Sequence, residues 1–259
     1  MILAIDMGNT NIVIGCIDDA KTYFTERLST DKSKTDLEYA MAFKTVLELY
    51  AIDIEKLEGA IISSVVPPLE NVLVRAVEKV IGKTPYVVGK NLDTGLTLKM
   101  DKPKTVGNDL IVDAVAGIHE YKAPLIIIDM GTATTMSVID QDANYVGGII
   151  APGVRLSMEA LASTAAQLYK VSLEGSDVVI GKNTIDCMKS GLILGAACML
   201  DGLIERMEEE LGYSTTVIAT GGLSKVVVPL CKRKIILDDA LLLKGLKIIY
   251  DRNTMKEVI

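Results

Sequence analysis

The stretch Asp6-Met7-Gly8-Asn9-Thr10-Asn11 recurs 123 positions later as Asp129-Met130-Gly131-Thr132-Ala133-Thr134. An apolar run of β-forming residues precedes each copy, Ile2–Ile5 in the first and Leu125–Ile128 in the second. Each copy also leads into a further strand-like run. Because self-similarity at a fixed distance is a signature of duplication, we predict two related halves. Each half contains a strand, a tight Asp-x-Gly turn and a second strand.

The residue types of this turn suit the binding of phosphate. Glycine lets the backbone approach an anion closely, and backbone amides and Thr or Asn side chains donate hydrogen bonds to phosphate oxygens. A carboxylate at the strand end, Asp6 or Asp129, repels phosphate unless a cation lies between them. An ordinary hairpin turn is the better explanation of a single copy, whereas two matching copies favour phosphate binding. The predicted donors are Asn9, Thr10, Asn11, Thr132 and Thr134.

Composition excludes several classes of protein. With 49% hydrophobic and 24% charged residues, the 259-residue chain is predicted to be globular. Its net charge of -7 argues against nucleic acid or an anionic membrane as partner. No apolar run is expected to be long enough to span a membrane, and no secretory signal is expected before the first strand. Four scattered cysteines without a C-x-x-C pair fit a reducing cytoplasm.

Strand and helix patterns follow the same order in both halves. Three strand-like runs come first, and helical patterns and one further strand follow them. The predicted strands are 2–6, 11–17, 23–29, 59–66, 85–88, 125–129, 135–140, 145–150 and 215–219, and the main helices are 36–50, 69–82, 182–211 and 240–252. This order predicts an α/β protein with two domains, 1–115 and 116–259, on either side of an interdomain cleft.

The segment Gly107-Asn108-Asp109 at the start of a predicted helix has two interpretations. In the first, Asn108 is the helix cap and Asp109 interacts favourably with the positive end of the helix dipole. In the second, Asp109 is a general base held at the helix start. Spacing alone leaves both interpretations open.

Two more segments combine a structural with a functional interpretation. The paired glycines Gly221-Gly222 after a strand form a turn, and they also permit close approach of a base or ribose. The helix predicted at 182–211 has a wide apolar surface, which indicates either core packing or a surface for a partner. Asn183 and Thr184 suit the cap at its start.

The order of the motifs along the chain is specific. The segments are Asp6–Asn11, Ser63–Pro67, Thr94–Leu96, Gly107–Asp109, Asp129–Thr135, Gly147–Gly153, Ile180–Thr184, Ala219–Leu223 and Leu243–Leu246. In this order they resemble the type III pantothenate kinases, members of the acetate and sugar kinase, Hsp70 and actin superfamily. The resemblance implies two duplicated ribonuclease H-like, actin-like ATPase domains. It further implies a cytoplasmic homodimer that uses ATP to phosphorylate pantothenate, the first step of coenzyme A biosynthesis.

The resemblance also implies a role for each matching residue. Asp109 would accept the proton of the pantothenate hydroxyl, Asp6 would lie near Mg²⁺, and Asp129 would bind an activating K⁺ or NH₄⁺ ion. The residues implied in ATP binding are Asp6, Gly8, Asn9, Thr10, Asn11, Gly131, Thr132, Gly221 and Gly222. Those implied in pantothenate binding are Met100, Gly107, Asn108, Leu110 and Thr184.

Four positions depart from the family pattern. Leu110 and Thr164 stand where the family commonly has arginine, Met100 where it has tyrosine, and Tyr169 where it has proline. All four belong to segments associated with the acceptor. Two alternatives therefore remain beside pantothenate kinase: a related kinase for another small alcohol, and a nucleotide-binding regulatory protein with little turnover.

Overall fold

The computed structural model describes residues 1–165, 167–175 and 178–257, and the chain divides into two compact units. Unit 1 contains Met1–Thr97, Asp101–His119 and the C-terminal segment from Ala240. Unit 2 contains Leu98–Met100 and Glu120–Asp239. The predicted domains 1–115 and 116–259 differ from this division mainly at the C-terminus, because the segment from Ala240 belongs to unit 1. Residues 258 and 259 lie outside the described chain.

The sheet of unit 1 has the order β3-β2-β1-β4-β5. Strands β1, β2 and β3 are antiparallel, whereas β4 runs parallel to β1 and β5 runs parallel to β4. Both β1 and β4 are fully buried, as expected for apolar strands covered on both faces. The strands are β1 (Ile2–Met7), β2 (Asn11–Ile17), β3 (Thr22–Ser29), β4 (Gly59–Ser64) and β5 (Tyr86–Val87).

Helices cover both faces of this sheet. Helices α1 (Asp36–Leu49) and α2 (Pro67–Ile81) pack against the face that carries Leu3, Ile5 and Met7. The opposite face carries Ile2 and Ala4, and it packs against α3 (Asn108–Glu120) and the C-terminal helix α8 (Leu241–Glu257). Side chains alternate along a strand, so Asp6 lies on the face of β1 that is covered by α3 and α8.

The position of α8 corrects the sequence expectation that the last helix belongs to the second half. Its residues Leu243, Leu246 and Ile249 are buried and join the core of unit 1. Leu243 lies against the backbone at Gly15 of β2, and Tyr250 lies against Gly59 of β4. An apolar helix face has to be buried against another element, and unit 1 has a sheet face that α8 can cover.

The sheet of unit 2 has the order β11-β10-β7-β8-β9-β6, which repeats the order of unit 1 and adds one edge strand. Again three antiparallel strands, β7 to β9, are followed by strands parallel to the first, β10 and β11. The duplication predicted from the sequence is therefore present in the topology. The strands are β6 (Thr97–Leu98), β7 (Leu125–Met130), β8 (Ala133–Ile139), β9 (Asn144–Pro152), β10 (Thr216–Thr220) and β11 (Ile236–Leu237).

The helix predicted at 182–211 is continuous but irregular. It consists of α5 (Thr184–Lys189), a wide π turn (Ser190–Leu194) and α6 (Gly195–Leu211). Two other helices belong to unit 2, α4 (Val154–Thr164) and α7 (Ser224–Val227). By length and composition, Thr184–Leu211 could cross a membrane, which corrects the expectation that no apolar run is long enough; 33% of its most apolar window is buried.

Candidate active site

The turn after β1 presents backbone and side-chain donors at the surface. Asn9, Thr10 and Asn11 are exposed, and the N–H of Gly8 donates to the carbonyl of Asn11 at 2.9 Å. Thr30 at the end of β3 holds the turn, because its hydroxyl donates to the carbonyl of Gly8 at 2.7 Å. The predicted phosphate-binding residues of unit 1 are therefore adjacent and exposed in a hydrogen-bonded turn.

Asp6 lies beside this turn with a hydroxyl as its neighbour in the sheet. It is 8% exposed and pairs in register with Val13 of β2 and Ser63 of β4. The hydroxyl of Ser63 is fully buried and has no hydrogen-bond partner among the described residues. A buried hydroxyl without a partner is unfavourable unless a ligand or water satisfies it. Asp6 and Ser63 together thus provide oxygen ligands for a hard cation.

Helix α3 begins at the same end of the sheet. The N–H of Val65, which follows β4, donates to the carbonyl of Met7 at 3.0 Å. The side-chain amide of Asn108 donates to the carbonyls of Ser64 at 3.2 Å and Val88 at 3.1 Å. Asn108 is the first residue of α3, and its side chain joins the helix to the strand ends. The interpretation of Asn108 as the residue that caps the helix is therefore wrong.

Asp109 is half-buried at the first turn of α3, the helix that covers the sheet face of Ile2 and Ala4, on which Asp6 also lies. Its Oδ1 accepts the N–H of Leu110 at 2.9 Å. Burial raises the pKa of this carboxyl, and the backbone hydrogen bonds lower it less. A raised pKa favours proton uptake by Asp109, as a general base requires. A Cβ at Gly107 would meet Oδ1 of Asp109, so a larger residue there would displace this carboxylate.

The turn after β7 is one residue shorter than the turn after β1. Met7 pairs with Ile12 in unit 1, whereas Met130 pairs with Thr134 in unit 2. The shift by one residue reverses the face on which each β8 side chain lies. Thr134 is consequently 1% exposed on the core face of Met130, so its prediction as a phosphate donor is wrong. Gly131 and Thr132 are exposed, and their contacts with phosphate stay a prediction.

Three oxygen-bearing side chains lie side by side around Asp129. Asp129 pairs in register with Thr135 of β8 and with Thr220 of β10, so the three side chains project from one face. The hydroxyl oxygen of Thr135 is buried without a hydrogen-bond partner among the described residues. Oxygen ligands of this kind suit an alkali or alkaline-earth cation.

The paired glycines Gly221-Gly222, which were predicted to contact the nucleotide, follow β10 beside Asp129. Gly221 directly follows β10, and a Cβ there would lie 2.5 Å from Oδ1 of Asp129. Ser224 holds the turn, because its hydroxyl donates to the carbonyl of Gly221 at 2.7 Å. Gly222 is exposed next to it. The structure therefore brings Asp129 and the glycine pair together within unit 2.

Thr184 lines a cavity of about 700 Å³ at the start of α5. The cavity is mainly apolar, with a polar side formed by Lys182, Asn183 and Thr184. Thr164, at one of the departing positions, lines a second cavity of about 840 Å³ along α4. Leu161 belongs to both linings.

Two predicted acceptor residues are not among the lining residues of these cavities. Met100 is half-buried just beyond β6, an edge strand three positions from β7 in the second sheet. Leu110 is half-buried in α3 of unit 1. Tyr169, at another departing position, is 51% exposed in unit 2 and is absent from the linings of both cavities.

Ser63, Thr135 and Thr220 are candidate site residues to which sequence reasoning assigned no role. Each is the in-register neighbour of a strand-end aspartate. The pairing of β1 with β4 and of β7 with β10 joins strands that are distant along the chain. The motifs Ser63-Ser64 and Ala219-Thr220-Gly221 were visible signals, but only the register relates them to the aspartates.

The oxygen atoms around Asp6 and around Asp129 fit a cation that is also bound by the phosphates of a nucleotide. Among the described residues, no group of three or more His, Cys, Asp or Glu side chains could hold a metal ion. Mg²⁺ is commonly bound by one or two carboxylates together with phosphate oxygens and water. One carboxylate beside a buried hydroxyl, as at Asp6 and Ser63, agrees with that pattern.

Comparison with known proteins is consistent with this geometry. The family model for type III pantothenate kinases matches residues 2–206. A Campylobacter jejuni protein described as a conserved Baf family transcriptional activator has a TM-score of 0.61 at 18% identity, with 98% of this chain and 100% of that chain covered.

Two further solved structures share the fold. Component A of (R)-2-hydroxyglutaryl-CoA dehydratase from Acidaminococcus fermentans has a TM-score of 0.57 at 14% identity, with 98% of each chain covered. MreB 5 of Spiroplasma citri, bound to AMPPNP, has a TM-score of 0.55 at 10% identity, with 99% of this chain and 97% of that chain covered. At these identities the likeness shows the fold alone, which is that of duplicated ribonuclease H-like, actin-like ATPase domains.

Proposed function

Because the chain belongs to the type III pantothenate kinase family, we propose that its site residues transfer the γ-phosphate of ATP to the hydroxyl of pantothenate. The product is 4'-phosphopantothenate, and the reaction is the first step of coenzyme A biosynthesis. The observation that carries the residue assignments is the position of Asp109, a carboxyl with a raised pKa in the helix that covers the sheet face of Asp6.

Asp109 is the proton acceptor in this proposal. The pantothenate hydroxyl oxygen forms a bond to the γ-phosphorus, the bond from that phosphorus to the bridging oxygen breaks, and ADP leaves. The hydroxyl proton passes to the carboxylate of Asp109. Phosphoryl transfer depends mainly on positioning and charge neutralisation, so a weakly basic carboxylate is sufficient.

The exposed turns of the two units bind ATP in this proposal. Asn9, Thr10, Asn11 and Thr132 donate to phosphate oxygens, and Gly221 and Gly222 contact the adenosine. Kinases of this family use ATP with a divalent metal. Asp6 and Ser63 would hold the Mg²⁺ ion, which neutralises phosphate charge when it is bound.

Asp129 binds an activating monovalent cation in this proposal. Its support is the buried hydroxyl of Thr135, which needs a partner, and the in-register hydroxyl of Thr220. K⁺ or NH₄⁺ would satisfy both the carboxylate and the hydroxyls, and would reduce repulsion between Asp129 and phosphate.

We also propose that two copies of the chain associate in the cytoplasm. The family consists of metabolic enzymes, and unit 2 exposes apolar side chains that water solvates poorly. Val179 is 78% exposed and Ile180 is 83% exposed, immediately before a long helix of which 33% is buried in its most apolar window. A second copy would cover this surface, and the resulting permanent interface would bury on the order of 2,000 Å² or more.

A coupled assay for ADP release tests the proposed function directly. The wild-type chain should release ADP when pantothenate, ATP, Mg²⁺ and K⁺ are present, and should stop when pantothenate is omitted. Turnover with an uncharged small alcohol but not with pantothenate would establish a kinase for another acceptor. ATP binding without turnover on any acceptor would instead establish the regulatory alternative.

A further inference from the structure

Among the described residues that line the cavity beside Thr184, one is charged, Lys182. The other lining residues are uncharged, and the apolar wall is formed by Leu161, Leu168, Met188 and Leu192. Lys182 is exposed and makes no ion pair with any residue that the structure describes. A lone ammonium group at the edge of an apolar cavity is suited to an anionic group on an otherwise apolar ligand.

The polar residues next to Lys182 are occupied by one another. The side-chain oxygen of Asn183 accepts the N–H of Asp186 at 3.0 Å, and its amide nitrogen donates to the Asp186 carboxylate at 2.7 Å. Asp186 is therefore directed to Asn183 and is absent from the cavity lining. The positive charge of Lys182 is left for a ligand.

The segment that carries Lys182 is held in place. The hydroxyl of Ser190 in the π turn donates to the carbonyl of Val179 at 2.6 Å. The N–H of Cys187 donates to the carbonyl of Asn183 at 2.9 Å. The backbone on both sides of Lys182 is thus attached to the helix, and less conformational entropy is lost when its side chain binds an anion.

No other positively charged side chain is among the described lining residues of these two cavities. The second cavity, which Thr164 lines, has no charged residue among its described lining residues. Arg155 belongs to α4, the helix along that cavity, but is not a lining residue of either cavity. Leu110 and Thr164 are uncharged, so the charge that an acidic acceptor needs has to come from another residue.

We propose that Lys182 binds the carboxylate of pantothenate, with the apolar wall of the cavity against the dimethyl part of the molecule. This inference rests on the proposed function. Lysine provides a point charge for the carboxylate, whereas arginine would form a bidentate pair of hydrogen bonds. Its charge-assisted hydrogen bond selects an acidic acceptor over a neutral one of similar shape. Lys182 is then a specificity-determining residue rather than a catalytic one.

The test compares pantothenate with an N-alkyl pantothenamide, in which a neutral amide replaces the carboxylate. For Lys182→Ala, the KM for pantothenate should rise about 10- to 100-fold, the range for loss of one charge-assisted contact. The KM for the pantothenamide and kcat for both acceptors should change by less than about twofold. Lys182→Arg should restore most of the affinity for pantothenate. Lys234→Ala, which removes an exposed lysine of unit 2 outside the cavity, is the matched control.

Each alternative result has a distinct meaning. Equal rises in KM for both acceptors would show a structural role for Lys182 and overturn the inference, while the proposed function stands. No change for either acceptor would also overturn it. If the wild-type chain neither binds pantothenate by calorimetry nor phosphorylates it, the proposed function fails, and this inference fails with it.

Discussion

Gly221 lies against the carboxylate of Asp129, although the two residues belong to different motifs of the chain. A Cβ at Gly221 would lie 2.5 Å from Oδ1 of Asp129 and 2.6 Å from the backbone nitrogen of Met130. Gly221 also has φ of +92°, in the left-handed region. The turn that follows β10 therefore sets the position of the aspartate at the end of β7.

Gly221→Ala should impair both stability and cation binding. Positive φ destabilises alanine by about 1–2 kcal/mol, and the new Cβ displaces the Asp129 carboxylate. Gly212→Ala is the matched control, because Gly212 has φ of +77° with open space around it. Denaturant unfolding should show a larger loss for Gly221→Ala than for Gly212→Ala, and only Gly221→Ala should weaken activation by K⁺. Similar behaviour of the two variants would show that the contact with Asp129 has no functional role.

Asp6→Asn and Asp129→Asn should affect different ions. Asp6→Asn should raise the Mg²⁺ and ATP concentrations needed for half-maximal rate, because a metal ligand loses its charge. Asp129→Asn should abolish the increase in rate that K⁺ or NH₄⁺ produces over Na⁺. Steady-state rates measured across the three salts separate the two effects. A normal potassium response in Asp129→Asn would mean that the monovalent ion binds elsewhere.

Asp109→Asn should reduce turnover without unfolding the protein. Asparagine has nearly the same shape and keeps the backbone contact at Leu110, so the free energy of unfolding should change by about 1 kcal/mol or less. Loss of the proton acceptor should lower kcat by at least about 100-fold. Single-turnover measurements with saturating ATP would provide the comparison. Near-normal turnover would leave Asp109 a purely structural residue.

The pH dependence of the wild type should reflect the raised pKa of Asp109. Burial disfavours the ionised carboxyl, so its folded pKa lies above its unfolded pKa. Its contribution to stability is therefore present below the unfolded pKa and is lost as pH rises through the folded pKa. Asp109→Asn should thus gain stability relative to wild type at neutral pH and show no gain in acid. In wild type, kcat/KM should fall as pH drops through the raised pKa; a limb at the ordinary aspartate pKa would contradict this assignment.

Ile180→Asp should convert the proposed dimer into a monomer. Ile180 is 83% exposed within its own chain, so a charge there should leave the fold intact and disrupt only an interface. Sedimentation velocity at micromolar concentration should show a dimer for wild type and a monomer for the variant. Leu49→Asp, at a 75% exposed leucine of unit 1, is the control and should stay dimeric. A monomeric wild type would refute the dimer.

Much of the fold could be predicted because it depends on local patterns. The apolar runs before Asp6 and Asp129, the turn glycines and the order of strands and helices are all readable along the chain. Asp109 could be identified as a candidate for the same reason. A carboxylate at a helix start suggests either an interaction with the helix dipole or a catalytic role. The bounds of β1 and β2 agree with the predicted strands to within one residue.

Partners distant along the chain could not be predicted. The role of Asn108 depends on the carbonyls of Ser64 and Val88, which are supplied by other elements. The place of α8 depends on which sheet face remained uncovered, and the apolar pattern of the helix carries no information about that.

By itself, the sequence determined that the chain is duplicated, because a strand, a turn and a strand repeat in residue types that specify local conformation. Only the tertiary structure decided which side chains of the second copy face the site. The turn after β7 is one residue shorter, and side chains on a strand alternate between faces, so Thr134 enters the core and Thr135 lies beside Asp129. Register is a property of two paired strands, and neither strand specifies it alone.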